Sequence, residues 1–423
     1  MEFDNTMFHK WKYVLFVCVV FNLLVFCLSA CKSDTEEEKS ETTTQTTEQE
    51  NTEQDSSEEM TTEEISDDES SGIDQVTLDG MSRDILAGMT LEEKVGQMFF
   101  VGKEALTEEM TWQPGGIILY SKNMKNQNQT KKMIEEFQSN AKIPLFIGTQ
   151  EAGGEDSRIA SVKGMKIKPQ PSSAKLAAAN DTSKTEEAAD TIAAYMKELG
   201  FNVNFAPSAN LVEEENSTLF GENTYGSDKK LVSELTSLFI EGMQKNDVCA
   251  VLSPFPGQGA TKEDTRKGPV DISRTINELR KTEFVPFSAG IKTGVDFIQV
   301  GHASYSAVME NQTPASLSKL MVTEILRKEL GFDSIIITDS MNEKAITDHY
   351  TTEEASVQAI KAGVDMLLYP GEEADDAYQA ILEAVEEGKI EESAIEESVF
   401  QILRVKIQRG IIPENTDLID TKN

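Results

Sequence analysis

Eight short apolar runs, separated by longer helical patterns, constrain the fold more than any other feature of this sequence. Uninterrupted apolar runs of this length are typical of strands buried on both faces of a parallel sheet. The runs are Gln97–Gly102, Gly116–Tyr120, Pro144–Gly148, Asn202–Ala206, Val248–Leu252, Phe297–Val300, Ser334–Thr338 and Val364–Tyr369.

The segments between the runs carry apolar residues at helical spacing. Thr185–Leu199 is followed by Gly200, and Pro314–Leu330 is followed by Gly331, which is the usual position of a helix-ending glycine. Eight strand–helix units over residues 76–412 predict an α/β fold, a (β/α)8 TIM-type barrel. A doubly wound open sheet is the alternative, and the regular spacing of eight units favours closure.

The first 30 residues have the pattern of a targeting segment. Lys10 and Lys12 precede the apolar run Tyr13–Ala30, which ends in small residues directly before Cys31. This pattern resembles a bacterial lipoprotein signal, which is cut before a cysteine that then carries lipid. An uncleaved transmembrane anchor is the alternative. Both interpretations predict a protein attached to the extracytoplasmic face of a membrane.

The composition of residues 31–75 indicates an acidic linker rich in Ser and Thr. Residues 32–70 contain 16 Asp and Glu against 2 Lys, and such a segment buries too little apolar surface to offset the entropy of ordering. We therefore expect a disordered stalk before the barrel, and a short polar tail over residues 413–423. The net charge of −35 argues against nucleic acid as a partner, because phosphate binding needs clustered Lys and Arg.

Cysteine and histidine usage limits the chemistry further. Cys249 is the one cysteine outside the signal and lipidation positions, so no internal disulfide is expected, and its apolar run predicts a buried side chain. The three histidines, His9, His302 and His349, are too scattered to form a metal-binding pattern. We expect no metal and no other cofactor.

Polar residues follow several of the predicted strands, where a barrel of this type places its chemistry. In "GFDSIIITDS", Asp339 comes one residue after the seventh run. A carboxylate there can attack an anomeric carbon, or it can cap the next helix. In "IPLFIGTQEAGGEDSR", Gln150, Glu151 and Arg158 offer polar contacts beside two glycines.

These pieces together resemble glycoside hydrolase family 3, in its bacterial β-N-acetylglucosaminidase (β-N-acetylhexosaminidase) branch. The resemblance covers about residues 85–411 and rests on "LEEKVGQMFFVG", "PGGIILYSKN", "IPLFIGTQEAGG", "LGFNVNFAPSANL", "NTYGSD", "FPGQG", "PASLSKLMVTEILRKELGFDSIIITDS" and "AIKAGVDMLL". It implies that Asp339 is the nucleophile of a retaining mechanism. It also implies that Gln150, Glu151, Arg158 and His302 lie near a carbohydrate substrate.

The sequence departs from the family pattern at several sugar-binding positions. The family's third-strand loop reads D-Q-E-G-G-R, but Thr149 replaces its Asp and Glu155 stands where its Arg would be. The family's R-S-F-G-S-D becomes "NTYGSD", so Asn223 replaces an Arg that contacts substrate.

The strand-five loop departs most. The family reads K-H-F-P-G-H-G-D-T-x-x-D-S-H, whose final Asp-x-His pair is the mobile acid/base, and this chain reads "SPFPGQGATKEDTR". Ser253 and Pro254 replace the Lys-His, Gln258 replaces the middle His, and Arg266 replaces the catalytic His. Asp264 is retained as the remnant of the acid/base pair.

Arg266 cannot transfer a proton, because its pKa lies above about 12. Beside it, Asp264 would be held ionised, which suits an ion pair and not proton donation. We therefore expect ordinary N-acetylglucosaminides to be hydrolysed poorly or not at all, by a barrel that binds an amino-sugar glycan or a protein of unknown identity. One alternative is an active glycosidase with a relocated acid, such as Glu263 or Glu155, and altered substrate. Another is a non-catalytic structural surface protein.

Overall fold

The computed structural model describes residues 73–107, 110–179, 181–213 and 217–418. The predicted signal over residues 1–30, the lipidation position Cys31 and nearly all of the linker over residues 31–75 lie outside the described residues. So do the last five residues of the predicted polar tail. Among the helices of the described part, none is both long and apolar enough to cross a bilayer.

Eight parallel strands close into a barrel in chain order, so that β1 pairs with both β2 and β8. Each strand overlaps one of the eight apolar runs, which confirms the predicted (β/α)8 barrel and excludes the open sheet. The strands are β1 Phe99–Gly102, β2 Gly116–Ile118, β3 Phe146–Thr149, β4 Val203–Asn204, β5 Cys249–Phe255, β6 Phe297–Val300, β7 Ile335–Ser340 and β8 Met366–Tyr369.

Two strands, β5 and β7, extend two or more residues past their apolar runs. The pairing of β5 with β6 shifts register between Leu252 and Phe255, and the pairing of β7 with β8 shifts between Ile337 and Ser340. Each strand continues past this irregularity. Asp339, predicted one residue beyond its strand, is therefore the penultimate residue of β7.

The helices surround the barrel, and short 3₁₀ turns connect several elements. In the described residues the helices are α1 Gln75–Ala87, α2 Leu91–Gln97, α3 Gln127–Asn140, α4 Ser173–Ala177, α5 Ser183–Leu199, α6 Ser217–Phe220, α7 Lys229–Gln244, α8 Ile276–Lys281, α9 Phe284–Lys292, α10 Leu320–Glu329, α11 Lys344–Thr347, α12 Thr352–Ala362, α13 Ala374–Glu386 and α14 Glu392–Gln408. Of these, α10 is wound as a π-helix. α5 ends at Gly200, whose φ of 95° is the left-handed conformation expected of a helix-ending glycine.

The helix predicted over residues 314–330 is divided in two. A short 3₁₀ turn, Ala315–Leu317, precedes α10. The first two amides of this turn donate to the carbonyl oxygens of Ala303 and Gly301 in the loop after β6. The start of the segment is therefore held by the strand-six loop and does not join the helix.

Aromatic side chains fill the barrel interior. Phe100 stacks with Phe146 at a centroid distance of 6.4 Å and meets Phe205 edge-on at 5.2 Å, and Phe146 meets Phe297 at 5.1 Å. A Cβ at Gly148 would lie 2.8 Å from the rings of Phe100 and Phe205, so this strand position has no room for a side chain. The rings thus form the floor beneath the strand ends.

Lys406, on α14, lies near the amino-terminal ends of β1 and β3. Its side chain is fully buried, and its Nζ donates to Gln97 Oε1 at 2.7 Å and lies 4.9 Å from the centre of the Phe146 ring. Burial holds the pKa of this ammonium well below its usual range.

Candidate active site

The carboxyl ends of the strands surround a pocket of about 350 Å³. Barrels of this architecture hold their chemistry at this end. A larger groove of about 850 Å³ runs along α12 and α13 on the outer face, and no strand residue lines it. The pocket at the strand ends is therefore the candidate site. Its polar lining comprises Tyr120, Gln150, Arg158, Asn223, Ser253, Gln258, Asp264, Thr265, Arg266, Gln299, Asp339, Ser340 and Glu343.

Asp339 reaches the pocket from the end of β7. Its Oδ1 accepts hydrogen bonds from Gln299 Nε2 at 3.2 Å and from the Ser340 amide at 2.8 Å. Gln299 belongs to the neighbouring strand β6, so two adjacent strands fix the carboxylate. A carboxylate held this way presents an oxygen to any ligand in the pocket.

His302 lies behind this carboxylate and does not line the pocket. It is 2% exposed, and burial lowers the pKa of its imidazole, so the ring is neutral at ordinary pH. Nε2 lies 3.1 Å from the Ser340 carbonyl oxygen, which requires a proton on Nε2, and Nδ1 lies 2.8 Å from Ser316 Oγ. His302 thus positions the end of β7 and does not touch the cavity.

Glu151 and Thr149 also point away from the pocket, although the resemblance placed them at substrate-contacting positions. The Glu151 carboxylate is fully buried and accepts from the amides of Ile159 and Ala160 and from the Tyr195 hydroxyl. The Thr149 hydroxyl donates to the Leu119 carbonyl oxygen at 2.7 Å. Both side chains therefore use their hydrogen bonds to stabilise the fold around the third-strand loop.

Gln150 and Arg158, by contrast, line the pocket together. Arg158 Nη2 lies 3.3 Å from Gln150 Oε1, which leaves the guanidinium free to make further bonds. Between them the chain turns at Gly153, whose φ is 85° and whose Cβ, if present, would lie 2.2 Å from the Pro171 carbonyl oxygen. Only glycine fits this turn, which brings Arg158 back to the cavity.

The strand-five loop holds an ion pair at the edge of the pocket. Arg266 Nε and Nη2 lie 2.8 and 2.9 Å from the two oxygens of Asp264, and Lys267 lies 3.5 Å from the same carboxylate. The Arg266 hydrogen bond holds the pKa of Asp264 below its usual value. Both oxygens of Asp264 are engaged, so this group accepts hydrogen bonds and has no proton to give.

Asn223, Ser253, Pro254 and Gln258, four of the positions at which the sequence departs from the family pattern, also line the pocket. None carries a charge at the wall of the cavity. The Gln258 amide N–H donates to Asn210 Oδ1 at 2.7 Å, and its side chain donates to the Glu263 carbonyl oxygen. The loop thus keeps a defined shape with neutral side chains toward the cavity.

Glu343 lines the pocket and was not predicted from the sequence, as is also true of Tyr120, Thr265, Gln299 and Ser340. It is 9% exposed, and its Oε2 is buried without a hydrogen-bond partner among the described residues. Burial, together with the nearby charge of Asp339, raises the pKa of its carboxyl to about 8. The signal available in the sequence was only its position, four residues after Asp339 and directly before α11.

Glu263 and Glu155, the acids considered from the sequence, are exposed and do not line the pocket. The pocket therefore combines a hydrogen-bonded carboxylate, a buried carboxyl that is protonated at neutral pH, and the cation Arg158. Apolar side chains complete the wall, namely Ile118, Phe205, Leu219, Phe220 and Leu368. Such a cavity suits an uncharged polar ligand with one apolar face, and it places an acceptor and a donor of protons together.

Comparison with known proteins identifies the family to which this geometry belongs. The sequence model of the glycosyl hydrolase family 3 N terminal domain matches residues 90–405. Beta-hexosaminidase A of Pseudoalteromonas piscicida is 25% identical over 316 residues, which cover 69% of this chain and 53% of that protein. The beta-hexosaminidase of Haemophilus influenzae is 31% identical over 254 residues, covering 60% of this chain and 71% of that protein.

A solved structure gives the same result. The glycoside hydrolase family 3 beta-N-acetylglucosaminidase from Paenibacillus sp. str. FPU-7 superposes with a TM-score of 0.72 at 32% sequence identity, covering 76% of this chain and 63% of that chain. The chain thus spans only 53% of the Pseudoalteromonas protein and 63% of the Paenibacillus structure.

Proposed function

The chain belongs to glycosyl hydrolase family 3, and on that premise we propose that it is a β-N-acetylhexosaminidase-like protein that binds an amino-sugar glycan at the mouth of its barrel. The observation that carries the proposal is Asp339, a carboxylate fixed by two strands at the wall of a pocket of about 350 Å³. That volume accommodates one or two sugar rings, in the range of small-molecule sites.

Asp339 is placed to act as a nucleophile. In a retaining mechanism one of its oxygens forms a bond to the anomeric carbon while the bond to the leaving oxygen breaks, and water later releases the sugar from the ester. The Gln299 and Ser340 donors bind one oxygen, which leaves the other oxygen for attack.

We further propose that hydrolysis is slow on ordinary N-acetylglucosaminides. The retained loop carboxylate, Asp264, is tied to Arg266 and cannot supply a proton. The cationic sugar-binding positions of the family are Asn223, Ser253 and Pro254 here, so several charge-assisted hydrogen bonds of roughly 1.5–3 kcal/mol each are absent.

The experiment is a rate measurement with nitrophenyl β-N-acetylglucosaminide on the full chain, its Asp339→Asn variant and the matched control Asp333→Asn, a change at an exposed carboxylate just before β7. We expect slow turnover that Asp339→Asn lowers on the order of 10³-fold or more. Asp333→Asn should leave turnover unchanged. Turnover insensitive to Asp339→Asn, or neither turnover nor glycan binding, would contradict the proposal and favour the structural surface protein.

We also propose that Cys31 carries lipid and attaches the protein to the extracytoplasmic face of a membrane, with residues 32–75 as a spacer. The support is the sequence pattern before Cys31. Labelling with a fatty-acid analogue should mark the wild-type chain and not Cys31→Ser. Equal labelling of both chains would sink this part of the proposal.

A further inference from the structure

We propose that Glu343 is the proton donor and acceptor of this pocket, in place of the strand-five loop. The inference rests on the proposed function, because it assigns the proton transfer that accompanies attack by Asp339. Glu343 does not belong to the strand-five loop, where the resemblance to the family would place the acid/base pair.

The first argument is the position of the Glu343 carboxyl. Its backbone amide donates to the Ser340 carbonyl oxygen at 3.0 Å, so the residue is fixed at the turn between β7 and α11. Its side chain lines the cavity beside Asp339, yet it is more than nine-tenths buried and its Oε2 has no partner among the described residues. A buried oxygen without a partner is costly, and a proton on the carboxyl lowers this cost because the group then carries no charge.

The second argument is the contact between Glu343 and the loop that would otherwise provide the acid. The Ala345 amide donates to the Thr265 carbonyl oxygen at 2.9 Å, and the Thr265 side chain lies against the Glu343 carboxyl. Thr265 lies between Asp264 and Arg266 in the sequence. The ion pair of these two residues keeps the Asp264 carboxylate from donating a proton. Glu343 therefore lies on the loop side of the cavity, next to the group it would replace.

The third argument is the protonation state. Burial and the charge of Asp339 raise the pKa of Glu343 to about 8, against the opposing effects of Thr265 and Arg266. Asp264, on the same loop, acts in the raising direction. Across the cavity the pocket also contains Arg158 and Tyr120, and burial keeps the Tyr120 phenol protonated with a pKa of about 12. Glu343 therefore holds a proton at neutral pH, as a general acid must.

The proton balance follows from these charges. As Asp339 bonds to the anomeric carbon, the bond from that carbon to the leaving oxygen breaks, and the Glu343 proton passes to this oxygen. The new ester removes the charge of Asp339, so the pKa of Glu343 falls and its carboxylate persists. That carboxylate then takes a proton from the water that attacks the anomeric carbon, and Asp339 leaves as a carboxylate.

The test compares two aryl N-acetylglucosaminides on the full chain. A dinitrophenyl leaving group departs without protonation, whereas a phenyl leaving group needs the acid. For Glu343→Gln we expect kcat/KM to fall on the order of 10²–10⁴-fold with the phenyl substrate and by less than about tenfold with the dinitrophenyl substrate. Added azide should raise dinitrophenyl turnover in the variant and give the β-glycosyl azide, because an anion needs no general base.

A pH profile gives a second readout. In the wild-type chain kcat/KM for the phenyl substrate should fall as the pH rises through about 8, because Glu343 loses its proton there. In Glu343→Gln this alkaline limb should be absent. Glu263→Gln is the matched control, an exposed carboxyl on the strand-five loop, and it should behave as the wild type does.

Two outcomes would overturn the inference while the proposed function stands. In the first, Glu343→Gln lowers kcat/KM equally for the phenyl and dinitrophenyl substrates. In the second, it lowers kcat/KM for neither substrate. Both outcomes require that Asp339→Asn still abolishes turnover. Turnover insensitive to Asp339→Asn would instead overturn the proposed function. If Glu343→Gln does not fold, Glu343→Asp keeps the acid but shortens its reach, and it should lower phenyl turnover alone.

Discussion

Three carboxyl groups line one pocket, and the surroundings of each are different. Asp264 is ionised and engaged by Arg266, and Asp339 is held by Gln299 and a backbone amide. Glu343 is buried, and its carboxyl keeps its proton at neutral pH. A pair of titratable groups with opposite environments is how one site supplies both a nucleophile and an acid.

Releasing Asp264 should restore a second acid. We expect Arg266→His, made in the Glu343→Gln background, to raise kcat/KM for the phenyl substrate about tenfold or more, because an imidazole beside Asp264 can bind and release a proton near neutral pH. The measurement is the phenyl rate in the single and double variants. Lys267→Ala, which removes only the contact at 3.5 Å, is the control. A double variant no faster than Glu343→Gln would contradict the role given to the ion pair.

The position of Asp339 at the cavity was easier to predict from the sequence than the orientation of its neighbours. Asp339 directly follows a buried apolar run, and in a barrel of parallel strands this is the end at which the site lies. Glu151 and His302 follow strands too, but their side chains turn away from the cavity to bind loop backbone and Ser340, a direction set by tertiary contacts. Glu343 lies on an irregular turn, where no periodicity assigns a face.

At the scale of the elements, the eight strands were predictable because burial on both faces leaves uninterrupted apolar runs. The ends of β5 and β7 were not, because backbone pairing continues through a register shift into polar residues. The division of the predicted helix over residues 314–330 could not be predicted either. Its first turn bonds to carbonyl oxygens of the strand-six loop, which are distant in sequence.

The packing around two glycines predicts that replacement by alanine changes the free energy of unfolding in opposite directions. Gly148→Ala should lower the free energy of unfolding by about 1–3 kcal/mol, because the new methyl meets the rings of Phe100 and Phe205 at 2.8 Å. Gly80→Ala, at an exposed position of α1 with no atom within 4 Å, should raise it by roughly 0.5–1 kcal/mol. Denaturant unfolding measures both, and a stabilising Gly148→Ala would contradict the packing described for the floor.

At the scale of the whole molecule, one buried lysine amine makes stability depend on pH. The pKa of Lys406 is lowered in the folded chain, so the unfolded chain binds the extra proton between that value and about 10.4. Stability therefore rises with pH across this window.

Replacing Lys406 should remove this dependence. Between the lowered pKa of Lys406 and about 10.4, we expect the free energy of unfolding of Lys406→Met, relative to wild type, to decrease as the pH rises. The decrease should reach at most about 1.4 kcal/mol per pH unit. Unfolding curves in urea at several pH values test this. Lys389→Met, an exposed lysine on the loop before α14, is the control and should show little pH-dependent difference. A constant difference for Lys406→Met would show that the buried amine keeps its proton.

The central claim, that Asp339 attacks an amino sugar in the pocket, is tested most directly by trapping the covalent intermediate. The full chain is incubated with 5-fluoro-N-acetylglucosaminyl fluoride, whose glycosyl ester hydrolyses slowly, and its peptides are analysed by mass spectrometry. We predict one sugar on the peptide that contains Asp339, present in Asp333→Asn and absent in Asp339→Asn. An unmodified chain, or a sugar on any other carboxylate, would contradict the account.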